Sequence, residues 1–360
     1  MIVGDRVRQA RTIKGLTQKQ LADLVGVRQP AVAQFEHGSR QPSPETLEAI
    51  AFATAFPVAF FSKEQLTHFP FGTLLFRGKT RMSERERTEA HELAAILYEA
   101  IETLAKNIKP LPIKIPLLSD RRPSDAAELT RSAVGLSPHG PVRNLIHHLE
   151  SAGVCVIAAP KPLSNRDGFS AWTSTNVPVI ALSPEKPGDR QRWSATHELG
   201  HLVMHRQIKD TTRNLEREAD AFAAAFLMPD SSIRPEMGSP TTLVTLARLK
   251  PRWGVSIAAL AMQASRLGAL TDGQLRYLYV QLSKHGWRTQ EPENLAIPIE
   301  RPRAFKKMAE LLYGIPVDVR RLAADLALNP GLLKDVLDVQ AEGVQQRAKR
   351  QNPRVLGFKD

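Results

Sequence analysis

The chain has 360 residues, too many for one compact core and suited to two or three domains. Apolar residues make up 42% and charged residues 24%, which excludes bulk disorder, and a formal net charge of +12 points toward a polyanionic partner. The single cysteine, Cys155, excludes any intramolecular disulfide and any multi-cysteine zinc site.

Residues 1–62 read as short amphipathic helices. Val7, Ile13, Leu16, Leu21, Val25, Val32, Phe35, Leu47 and Ile50 follow helical rather than alternating spacing, and Gly15, Gly26 and Gly38 punctuate the segment. Charges stand where a secretion signal would have its apolar core. No run of about 18 apolar residues occurs; residues 49–61 come nearest and contain Pro57. The expectation is a cytoplasmic protein without membrane contact.

Residues 63–124 read as a connector helix and linker. The helix is predicted over 83–106 with one packed face, the stripe Leu93, Ile96, Leu97, Ile101 and Leu104, and Pro110, Pro112 and Pro116 open the linker. Residues 125–235 are mixed. Helices are predicted over 126–134, 142–152, 191–206 and 215–227; 153–159 (GVCVIAA) is a buried strand, and 168–174 with 177–182 form a hairpin about Thr175-Asn176. Residues 236–360 read as a helical extension, with the stripe Ile257, Leu260, Ala264 and Leu267 packing on the preceding domain and a basic, frayed end. The class is therefore α+β, an all-helical front followed by a mixed domain with a small sheet and a helical extension.

Within the front segment, residues 15–38 (GLTQKQLADLVGVRQPAVAQFEHG) carry a helix-turn-helix pattern. Thr17 is an N-cap with Gln20 placed to complete a capping box, Gly26 suits a tight turn, and Pro30 sits in the first turn of the second helix. Gln29 and Gln34 fall on the exposed side, where amides can bond adenine edges in a major groove; Arg28 is grouped with them. Gln18 and Arg40 are placed to hold phosphates. Seven Lys/Arg against five Asp/Glu through Ser62 make non-specific affinity modest, so tight site-specific binding to double-stranded DNA calls for a homodimer. A small helical bundle used for protein contacts is the alternative. The segment resembles the lambda-repressor-like (XRE) family over nearly its full length. By that resemblance Gln29 and Gln34 occupy base-touching positions, while Pro30 replaces a residue that in relatives often supplies a further base contact.

In the mixed domain, WSATHELGHLVMH contains HExxH at His197, Glu198 and His201. Residues four apart on a helix lie one turn apart on one face, the geometry of two imidazoles on one zinc ion. Glu198 beside them can take a proton from the attacking water and pass it to a leaving amine. A lone HExxH arises by chance in roughly one protein of this size in a hundred, so a third ligand matters. Glu216 and Asp220 share a face of the next helix; if Glu216 binds zinc, Asp220 can accept a ring N–H from a ligand histidine, and Glu218 points away. His205 lies about 12 Å along the axis from His197, too far to share the ion, and reads as a polar residue at the edge of the site or the helix end. His91 and Glu92 form a decoy without a second histidine. Trp172 reads equally as a pocket wall or a core aromatic. Arg190 and Arg192 read as surface charges, and Cys155 as an inert core thiol.

The run DGFSAW, PVIALS, DRQRWSATHELGHLVMH and EREADAFAAAFLMP resembles the ImmA/IrrE family of zinc metallopeptidases over about 125–230. The resemblance implies a zincin-like, gluzincin-type endopeptidase with His197, His201 and Glu216 as zinc ligands and Glu198 as catalytic base. The family includes peptidases that cut XRE-type repressors, so a repressor or another regulatory protein in a stress or mobile-element response is the expected substrate. The alternatives are a transcription factor whose metal senses or stabilises without turnover, and an antitoxin-like DNA-binding partner.

Overall fold

The structure is a computed structural model describing residues 1–64, 83–109, 111–160, 163, 167–206 and 213–341. Four helices open it: α1 (Gly4–Ile13), α2 (Gln18–Val25), α3 (Gln29–Glu36) and α4 (Pro44–Thr54). α2 starts on the Thr17–Gln20 capping box, and Gly26 ends it at φ 71°, a left-handed conformation that favours glycine. Val7, Leu21, Ala22, Val32, Phe35 and Ile50 meet in the middle. A 3-10 turn, Val58–Ser62, adds Phe60 and Phe61 beneath them.

The helix predicted over 83–106 is α5 (Glu84–Lys106), capped by a Ser83–Glu86 box. It is no connector with one packed face. From Ala90 through Glu102 every residue except Glu92 is buried. Its polar groups read in isolation as a solvated face, yet each of four has a partner within the fold. Arg6 of α1 donates to Glu99 at 2.8 Å, Gln9 donates to Glu92 at 3.0 Å, Tyr98 donates its hydroxyl to the Ala171 carbonyl at 3.0 Å, and Ser174 donates to Glu102. The segment thus supplies core. Its stretch 65–82, Pro110, and the basic end 342–360 lie outside the described residues.

α6 (Pro123–Ala133) and α7 (Leu145–Ser151) lead to a three-stranded sheet: β1 (Cys155–Ala158), β2 (Gly168–Trp172) and β3 (Pro178–Leu182), in the order β1-β3-β2. β3 pairs antiparallel with β2, closing the predicted hairpin with Asn176 at φ 63°, and parallel with β1. Alternate residues enter two separate cores. Cys155, Ile157, Phe169, Ala171, Val179 and Ala181 join α1–α5, while Val156, Ile180 and Leu182 join the helices of the second face. Coverage on both faces is why these strands read as continuous apolar runs.

The second face is covered by α8 (Gly188–Met204) and α9 (Arg213–Leu227); after the short α10 (Asp230–Ile233), α11 (Leu243–Trp253), α12 (Ile257–Arg266) and α13 (Asp272–Lys284) pack there too. The carboxyl-terminal region is not one extension. α14 (Ala304–Tyr313), α15 (Val319–Leu326) and α16 (Pro330–Ala341) return to the first face, where Phe305, Met308, Leu322, Leu326 and Leu333 complete the core around α5. Between the two groups, residues 287–303 form an irregular strap with one 3-10 turn, Glu293–Leu295. Among the described residues no helix is long and apolar enough to cross a membrane.

Candidate functional site

α8 is buried on nearly every side, so its direction is fixed by polar anchors as well as packing. Gly188 lets the strap pass: the Ile297 carbonyl would stand 2.2 Å from a Cβ there. Asp189 accepts from buried Lys250, which also pairs with Glu291 at 2.7 Å. Arg192, expected at the surface, is buried. It donates to the carbonyls of Gly254 (3.0 Å) and Val142 (2.6 Å) and pairs with Glu300 of the strap. Arg190 does reach the surface, paired with Asp167 at 2.7 Å. At the other end Gly200 admits α9, whose Phe222 ring would lie 3.1 Å from a Cβ at that position.

That close crossing brings Glu216 of α9 over the two histidines of α8. His197 Nε2 and His201 Nε2 are 3.0 Å apart; Glu216 oxygens lie 3.5 Å from the first and 3.2 Å from the second. The outer nitrogens assign the tautomers. His197 Nδ1 donates to Asp220 at 2.9 Å, and Trp193 donates to the same oxygen at 3.4 Å. His201 Nδ1 faces His205 Nδ1 at 2.9 Å, and His205 Nε2 donates to Glu218 at 3.1 Å. With the ring protons on the outer nitrogens, both Nε2 lone pairs and a carboxylate converge. Three acceptors this close need a shared positive charge, either a proton or a metal ion. Burial alone would raise the Glu216 pKa, but a positive charge carried on His197 and His201 would outweigh it and hold the carboxyl well below its ordinary range. The three side chains therefore fit a metal ion.

His205 and Glu218 gain partners that their sequence reading did not name. His205 does end the helix, as its C-cap, but it is buried and bonded to His201. Glu218 does point away from Glu216, but onto His205, with Asn214 donating to its other oxygen at 2.6 Å. The signal for both lay in spacing, since the four-residue step pairing His197 with His201 also pairs His201 with His205.

Glu198 is buried against the sheet and accepts from Ser170 Oγ of β2 at 2.8 Å. Trp172 belongs to the helix end rather than to an open wall. Its indole donates to the Leu202 carbonyl at 3.1 Å, and the Arg206 guanidinium lies 4.2 Å over its ring. Cys155 is buried, and burial pushes its thiol far above the nucleophilic range. His91 and Glu92 lie on buried α5, with Glu92 accepting from Gln9.

In the front segment Arg28, Gln29, Gln34 and Arg40 are exposed and Gln18 is half-buried. Gln29 donates to Gln18 Oε1 at 2.8 Å, and Gln18 donates to Glu36 at 2.7 Å. Glu36 is held in turn by the Arg11 guanidinium. The Gln29 amide at the start of α3 is thereby oriented before any ligand arrives. Arg40 reaches over Phe35, its guanidinium 5.9 Å from the ring centroid.

Residues 149–265 match the family model described as the IrrE N-terminal-like domain, of the M78 peptidases, and residues 7–55 match one described as Helix-turn-helix. No curated protein matches the chain. Among solved structures, similarity extends to Bacillus thuringiensis PlcR in complex with the peptide PapR7 and DNA. That match has 12% identity and covers 81% of this chain and 98% of that one. Its TM-score is 0.16, too low to carry an argument. By its two family matches, the chain joins an amino-terminal helix-turn-helix domain of the XRE type to an IrrE N-terminal-like domain of the M78 peptidase family.

Proposed function

We propose that this protein is a cytoplasmic DNA-binding regulator whose second domain is a zinc-dependent endopeptidase acting on a repressor or another regulatory protein. The observation that carries the reading is the convergence of His197 Nε2, His201 Nε2 and Glu216, all within 4.8 Å of one another, with Glu198 next in the chain to His197. Two imidazoles and a carboxylate are a catalytic zinc set, one short of the four protein ligands usual at structural sites. Ligands about 2.1 Å from a tetrahedral ion stand about 3.4 Å apart, and the separations of 3.0, 3.2 and 3.5 Å agree with that. Zinc bound there would supply Lewis acidity, polarising a scissile carbonyl and acidifying water.

The chain's own residues do the rest. Ser170 holds the Glu198 carboxylate, which takes the water's proton and returns it to the leaving amine. Extended substrate adds beside β2, one of the sheet's two edge strands and the one that holds Ser170. The test compares wild type with Glu198→Gln, by zinc analysis and by cleavage of XRE-type repressors encoded nearby. Expected is unchanged zinc content with cleavage down by about 10²-fold or more; equal cleavage would overturn the reading. In the front domain Gln29→Ala is expected to relax operator discrimination by about 1–3 kcal/mol, measured by competition between sites, with two chains bound per operator. Unchanged discrimination would remove α3 from base reading.

One observation favours a second reading, metal sensing without turnover: α5 ties the reading domain and the sheet into one core. DNA affinity that tracks zinc equally in wild type and Glu198→Gln, with no cleavage by either, would select it.

A further inference from the structure

We propose that His205 and Glu218 form a buried hydrogen-bond relay that fixes the tautomer and ring orientation of His201 and thereby sets the metal affinity of the centre. The inference rests on the metal-centre reading above and deepens it. Two Nδ1 atoms 2.9 Å apart cannot both be bare, so one of the rings donates. The direction follows from the far end. Glu218 accepts from His205 Nε2 at 3.1 Å and is itself held by Asn214 at 2.6 Å. With its proton on Nε2, neutral His205 presents a bare Nδ1, and His201 donates to it. His201 is then left with a lone pair on Nε2, 3.2 Å from Glu216. The relay is 6% exposed at the His205 side chain and 34% at Glu218, so water substitutes poorly for the inner bond, between His205 and His201.

The other histidine is supported differently. His197 donates straight to Asp220, whose side chain is 51% exposed, so solvent can replace that acceptor. The two outer supports are therefore unequal, with the stricter one on His201. Metal-ligating histidines whose outer partners are removed typically bind about 10–100-fold more weakly.

The experiment titrates the full chain with zinc against a competing chelator and records the visible spectrum of the cobalt-substituted protein. His205→Ala and Glu218→Ala are expected to weaken zinc binding by about 10–100-fold. Glu218→Gln, whose amide oxygen still accepts, is expected to stay within a few-fold of wild type. Asp220→Ala is expected to lose less than His205→Ala. The cobalt spectrum is expected to keep its tetrahedral bands in every relay variant, because no ligand is lost. Wild-type affinity in both alanine variants, alongside a large loss in His201→Ala, would overturn the relay alone. A wild-type chain without zinc affinity would overturn the metal-centre reading with it. If His205→Ala does not fold, the Glu218 pair carries the test from the more accessible end, where rescue by glutamine separates a positioning role from a packing one.

Discussion

The two faces of the three-stranded sheet are built to different specifications. The first face is covered by distant parts of the chain, α5 from the front, with α1 packed on it, and α14 and α16 from the end. The second is covered mainly by helices that come after β3 in the chain: α8 and α9, which bring His197, His201 and Glu216 together, and α11–α13. Six residues of the strands face the core shared by α1–α5 and α14–α16, while the residues between them face the core of α8 and α9. A sheet only three strands wide thus works as a partition, with the helix-turn-helix domain reaching it through α5 on one side, so the two domains are joined by core packing and buried polar contacts.

The most severe way to test that partition is to cut its strongest polar link. Arg6 and Glu99 have side chains 0% and 4% exposed, and removing one partner of a buried pair costs about 3–5 kcal/mol. All four tryptophans, Trp172, Trp193, Trp253 and Trp287, pack with the second core, so their fluorescence reports that side alone. Arg6→Ala is expected to lower the urea midpoint by fluorescence and by circular dichroism together. A dichroism change with fluorescence unmoved would show that the reading domain unfolds by itself, breaking the comparison.

A smaller effect is expected on the other side. Gly200→Val drives a side chain into Phe222, costing about 1–3 kcal/mol, and displaces α9 with Glu216. Zinc affinity by chelator competition should fall while operator binding by gel shift is retained. Equal losses of both would deny the partition. The mildest probe sharpens it. Tyr98→Phe removes one bond, from α5 to the Ala171 carbonyl, and is expected to cost about 1 kcal/mol in the same denaturation assay. A zero effect would mean that packing alone couples α5 to the sheet.

What could be read from the sequence was local. The helix-turn-helix announces itself through Thr17, Gln20, Gly26 and Pro30, each of which acts within a turn of its own position. The pairs His197/His201 and Glu216/Asp220 follow from helical spacing alone, and the hairpin from two apolar runs around a turn. What could not be read was long-range. Glu99 looks like a solvated residue until Arg6, 93 positions away, is placed beside it. Arg192 looks like a surface charge until the strap delivers Glu300 from 108 positions away. The split of the carboxyl-terminal helices between two faces has the same cause, since amphipathic stripes say which side of a helix is buried and not against what.

The contact between α1 and α5 also bears on how such a chain is inherited. Regulators are commonly imagined as exchanging their DNA-reading heads freely, like tools on a common handle. Here a new head arriving without a cation at position 6 would cost Glu99 its buried guanidinium partner, deep beside Tyr98 and one helix away from β2. Recombination near position 62 alone would leave descendants with that defect, so head and α5 are expected to descend together as one heritable block.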